Sequence, residues 1–216
     1  MGGSIGFYGS TLNTRQYATK GYLEKLIAQV FTGRERFEPG NPQEGYSPSP
    51  QERQSWLQIS YMKEAYHTMG PKFTLGWMAE ALYSSKNFSE NYTATMMQAG
   101  EFAPTPHSKL MYNEAFRANQ YVAAGIKPIY VLNDMFQFRT EFYGFTPIFP
   151  IKKNALNKAY YGKAFSRFEY MGEVSVICHL PFGAISAYVN HYSSPRREWN
   201  VGMTIGWQLF NYRFVE

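Results

Sequence analysis

MYNEAFRANQYVAAGIKPIYVLNDMFQFRTEFYGF, residues 111–145, is the stretch on which the fold is decided. It ends a long polar segment and opens a series of alternating aromatic segments that runs toward the C-terminus. Within 136–144, Phe136, Phe138, Thr140 and Phe142 fall on one side of an extended chain, and Gln137, Arg139 and Glu141 on the other. The same period returns near the end: Trp199, Val201, Met203, Ile205, Trp207 and Leu209 alternate with Asn200, Gly202, Thr204, Gly206 and Gln208. Period-two alternation means strands, because successive side chains of an extended chain point to opposite faces. The second face decides what kind of sheet to expect. A sandwich buries its apolar face and charges the other; here the second face is Gly, Thr, Asn and Gln, which suits a wet or filled lumen. The pattern therefore predicts an all-β, antiparallel transmembrane β-barrel segment whose apolar residues face lipid.

Composition narrows the alternatives. The chain has 216 residues, 18% of them aromatic and 44% hydrophobic, yet its mean hydropathy is −0.40, because apolar and polar residues alternate. No run approaches the roughly 18–20 apolar residues of a helical span. Met1-Gly2-Gly3 lacks the basic start and apolar core of a secretory signal, so the expectation is mature numbering or a piece of a longer chain. A single cysteine, Cys178, excludes an internal disulfide. The net charge of +5 is partly concentrated in Lys152, Lys153, Lys158, Lys163 and Arg167. No nucleic-acid-binding module surrounds these residues, so a solvated connection is expected and no nucleic-acid partner.

Taken in order, the chain predicts about nine strands: 4–12, 55–68, 72–84, 120–132, 136–149, 168–180, 184–192 and 199–210, with 22–31 ambiguous. Tyr22, Leu23, Leu26, Ile27 and Val30 stand at helical spacing, and Glu, Lys, Leu and Ala favour helix. On its own, that segment reads as helix. Connections at 69–71, 133–135 and 181–183 are short, whereas 34–53, 86–119 and 150–167 are long. Such alternation of short turns and long loops belongs to outer-membrane barrels.

Reactive groups give little. Gly2-Gly3-Ser4-Ile5-Gly6 fits the pattern of a nucleophile elbow, but an elbow needs a buried strand before the serine and a helix after it. His67, His107, His179 and His191 lack metal-ligand spacing. His179 with Ser186 is the tempting hydrolase pair, and parity places both with the polar set. No catalytic residue, metal or cofactor is expected. Asn87 and Asn91 match glycosylation sequons, which carry no meaning in an outer-membrane barrel of the expected kind.

The order of Thr19-Lys20-Gly21, strand, long loop, hairpin, long loop, Phe116-Arg117-Ala118-Asn119 and five further strands resembles the C-terminal half of the sixteen-stranded bacterial surface antigen barrel, shared by outer-membrane assembly and two-partner secretion proteins. FAPTPHSKLMYNEAFRANQYVAAGIKPIY and GEVSVICHLPFGAISAYVNHYSSP look more like the barrel of patatin-like outer-membrane phospholipases. The resemblance turns 22–31 into a strand. It implies that residues 1–216 are the C-terminal portion of an outer-membrane barrel, with loop 86–119 folding into the lumen. That barrel would anchor or display an N-terminal patatin-like lipase lying outside this chain; a protein-translocating pore is the alternative. Implied partners are outer-membrane lipid, lipopolysaccharide and the patatin domain, with homo-oligomerisation admitted. Arg117 matches the arginine of the family's V-R-G-F/Y loop motif, although Ala118-Asn119 replaces its Gly-aromatic pair. The family's latch implies an Arg117–Glu141 pair.

Overall fold

The computed structural model describes residues 1–14, 16–35, 53–181, 183–194 and 199–207. Its strands are β1 (Gly2–Ser10), β2 (Gly21–Arg34), β3 (Arg53–Thr68), β4 (Phe73–Ser84), β5 (Gly100–Glu101), β6 (Arg117–Ala118), β7 (Gln120–Val131), β8 (Phe136–Pro147), β9 (Ile151–Lys153), β10 (Ala159–Tyr161), β11 (Glu169–Leu180), β12 (Gly183–Tyr192) and β13 (Trp199–Trp207). One helix, α1 (Tyr92–Gln98), lies in the long loop between β4 and β7. Nine strands form one antiparallel sheet in the order β1-β2-β3-β4-β7-β8-β11-β12-β13, each beside its neighbour in the chain. β5 with β6, and β9 with β10, make small ladders inside the two long loops.

β2 is a strand of 14 residues, fully paired with β3 from Gly21↔Tyr66 to Arg34↔Arg53. Ladder hydrogen bonds along both its edges outweigh the weak helical preference of the isolated segment.

The expected barrel is corrected to an open all-β sheet. Among the described residues, β1 bonds only β2 and β13 bonds only β12, so no seam joins the two outer strands. Parity supplies the reason. A meander of nine strands leaves its first and last running the same way, and closing it would need one parallel seam in an antiparallel ladder. The outer-membrane location, the lipid and lipopolysaccharide contacts, the translocating pore and the display of a patatin domain belong to the expected membrane barrel and are corrected with it. No helix among the described residues is long and apolar enough to cross a membrane.

The two faces of the sheet differ as the alternation requires. Phe136, Phe138, Phe142, Trp199, Val201, Met203 and Ile205 lie on the exposed face. The Trp207 side chain and Leu209 are outside the described residues, as are 208–210 of the expected last strand. The opposite face, carrying Gln137, Arg139 and Glu141, is buried. Two segments cover it. Residues 16–20 lie across it, with Tyr17 Oη 2.6 Å from Ser186 Oγ and the Ala18 carbonyl accepting from Arg139 at 2.9 Å. The loop containing α1 sends Phe102, Ala115 and Phe116 into a core with Met78, Leu82, Tyr121, Phe145 and Met171.

Candidate functional site

Strand register builds a row of polar side chains across the buried face. Tyr66 stands opposite Gly76, and Gly76 opposite Lys127. The pairs Ile126↔Phe142 and Ile129↔Arg139 set Lys127 across from Glu141. Glu141 faces Glu173, and Glu173 faces Asn190. Side chains at such positions share one face at about 5 Å spacing, so the row is a consequence of register. Gly76 is required in it: a Cβ there would stand 2.6 Å from the Tyr66 ring, which crosses the glycine toward Lys127.

Charges on one side of the row are matched. Lys127 Nζ is 3.0 Å from Glu64 Oε1, and Arg139 Nε is 3.0 Å from Glu141 Oε1. Tyr143 donates to Glu141 Oε2 at 2.6 Å, and Arg139 also donates to Tyr66 Oη at 3.2 Å. Burial opposes a charge on Glu141, but Arg139 and Lys127 outweigh it and hold the carboxyl below its ordinary range. Burial likewise opposes the charge on Lys127, and Glu141, Tyr66 and Glu64 overcome it. The two cations and two carboxylates satisfy one another.

Arg117 and Glu141 are not brought together. Arg117 pairs with Glu101, its neighbour on the β5–β6 ladder, and donates to the carbonyls of Met97 at 3.1 Å and Ala99 at 3.2 Å. Glu141 is already occupied by Arg139, two residues away on the same strand face. Arg117 thus fastens the end of α1 within its own loop. Local pairing wins because Arg139 reaches Glu141 at no cost in loop ordering.

The hydrolase candidates His179 and Ser186 are each engaged by another partner. Ser186 bonds Tyr17, whereas His179 Nε2 lies 2.9 Å from Gln137 Nε2. Ser4 is exposed in the middle of β1, opposite Gln29, with strand on both sides of it. Among the described residues no group of three or more His, Cys, Asp and Glu side chains is placed to hold a metal. A cavity of about 10 Å³ between Phe102, Ser108, Phe116, Met171 and Tyr192 has room for no more than a water.

The open chemistry lies at the sheet edges. In β1, Thr32 N donates to Met1 O and Thr11 N to Tyr22 O, each at 2.8 Å. The bonded pairs are therefore the odd residues of β1, and the N–H and C=O groups of Ser4, Gly6, Tyr8 and Ser10 point away from β2. Ile5 is 77% and Tyr8 64% exposed. Neither β1 (GGSIGFYGS) nor β13 (WNVGMTIGW) contains a charge or a proline.

Alternation revealed Gln137, Arg139 and Glu141. It missed Lys127, hidden in Ala-Gly-Ile-Lys-Pro, and Glu173, whose only signal was its parity with Glu169 and Ser175. Neither a protein-family model, nor a curated protein, nor a solved structure matches the chain, so the resemblance to surface-antigen and patatin-phospholipase barrels is corrected along with the barrel itself.

Proposed function

We propose that this chain is a non-catalytic assembly module whose sheet is extended by a strand from another polypeptide. The observation that carries the reading is the pair of uncharged, proline-free outer strands, β1 and β13, each nine residues long. Sheets that stay alone protect such edges with lysine, proline, bulges or a covering element, because unpaired backbone groups recruit further strands. Strand addition supplies main-chain hydrogen bonds for affinity, and alternate side chains supply specificity. The exposed apolar face next to each edge gives an incoming strand apolar neighbours to pack against.

Amide exchange tests this, measured on the purified chain and on the chain in its cellular assembly. In the purified chain the amides of Ser4, Gly6, Tyr8 and Ser10 exchange fast, whereas those of Ile5, Phe7 and Gly9 are slowed. In the assembly the first set becomes protected as well. Equal and rapid exchange of the first set in both samples overturns the proposal.

A further inference from the structure

Glu173 is the member of the polar row that the charge balance leaves over. It sits on β11 with only 6% of its surface exposed. Across β8 it faces Glu141, a like charge already neutralised by Arg139. Across β12 it faces Asn190, with Ser186, Tyr188 and Tyr192 on the same face of that strand. The segment 16–20 brings Tyr17 to it, and the loop between β5 and β6 brings Thr105 and His107. On β11 itself Glu169 is engaged by Arg167 and Ser193. Among the described residues named here the cations are Arg139, spent on Glu141, Tyr66 and the Ala18 carbonyl, and Arg167, spent on Glu169. Asn190 and Thr105 stand near the Glu173 carboxyl and pull its value down, but less than burial and Glu141 raise it. The Glu173 Oε2 atom is buried with no partner among the described residues.

We propose that Glu173 is a proton-bearing acid beneath the segment 103–113, and that ionising it releases that segment from the sheet. A buried carboxylate oxygen without a donor, beside a second carboxylate, is far less costly as O–H than as O⁻. The segment above it is held by neutral contacts. His107 Nδ1 is 2.7 Å from Asn190 Nδ2 and 3.0 Å from Tyr192 Oη. Burial pushes the His107 imidazole down, toward its neutral form. Thr105 and Ser108 close a small turn, Ser108 N donating to Thr105 Oγ1 at 3.2 Å. Burial first, and the Glu141 charge second, push the Glu173 carboxyl up to about 7. Lifting the segment hydrates the carboxyl and returns it toward its ordinary range. Opening therefore releases a proton to solvent, and a rise in pH favours the open segment.

From an ordinary value of 4.5 and a covered value of about 7, linkage sets the size of the effect: the opening equilibrium rises roughly tenfold between pH 6 and pH 8.5. Two measurements on the full chain test it. Titration of the carbon-13-labelled Glu173 carboxyl has its midpoint near 7 if the proposal holds; a midpoint near 4.5 overturns it. Exchange of the Ser108 and Leu110 amides, corrected for intrinsic pH dependence, accelerates over that pH range in the unsubstituted chain. In Glu173→Gln, which keeps the shape of the neutral acid, it stays constant. Equal acceleration in both chains overturns the proposal. Should Glu173→Gln not fold, protease cleavage within 103–113 of the unsubstituted chain decides, and a rate independent of pH counts against it.

Discussion

Glu141 is gripped by Arg139 and Tyr143 while Lys127 stands across the ladder, and nearly all of this charge is out of water. Such a pair contributes little net stability when intact, but losing one partner strands the other. Arg139→Ala is therefore expected to cost about 3–5 kcal/mol in urea unfolding, whereas exchanging the exposed Phe138 for Tyr changes little. The pH dependence has two arms of opposite sign. Glu141, depressed in the fold, adds stability above the ordinary carboxylate range that disappears as pH falls through its lowered value. Glu173, raised to about 7, adds stability that is complete below 4.5 and disappears as pH climbs through 7. Glu173→Gln should abolish the upper slope and leave the lower one. Arg117 gives a sharper residue test. Double-mutant cycles should show coupling of about 0.5–3 kcal/mol between Arg117 and Glu101, and additivity between Arg117 and Glu141. Coupling in the second cycle would restore the latch that the sequence suggested.

Among the described elements, β1 and β13 have an outer side without a partner strand, and β1 gives the cleaner test. Ser4→Pro removes an N–H that points away from β2, and proline is tolerated at such an edge position. Ile5→Pro removes a donor of the β1–β2 ladder instead, opposite Ala28. The first substitution should leave unfolding nearly unchanged and abolish strand addition, as read by photo-crosslinking from position 6. The second should destabilise the hairpin itself. Indistinguishable behaviour of the two would mean that the inward and outward sides of β1 are misassigned. β2 shows how an element acquires its identity. Leu23, Leu26, Ile27 and Val30 fit a helix by spacing, but β1 and β3 on either side offer its backbone two complete ladders.

At the scale of the whole molecule, an open sheet with one exposed apolar face and, among the described residues, two outer strands without a further partner should associate. Val201, 80% exposed on β13, makes a clean test. Val201→Lys is expected to shift unfolding by no more than about 0.5 kcal/mol while lowering the self-association seen by sedimentation velocity, since a lysine blunts an edge. Unchanged association would place the sticky surface elsewhere. The alternation of Phe136–Phe138–Phe142 with Gln137–Arg139–Glu141 determined by itself that these segments are strands and which residues share a face, because side-chain direction in an extended chain depends only on parity. Parity is also why eight strands were legible to within a few residues and the turns at 69–71 and 133–135 with them. What a face meets is a different matter. Covering of the polar face by residues 16–20 and by the α1 loop, and the row from Tyr66 to Asn190, join residues far apart in the chain, and the choice of Glu101 over Glu141 by Arg117 depends on how its loop packs. So does the absence of a seam between β1 and β13 among the described residues. Register and loop packing set those contacts, and only the assembled sheet fixes both.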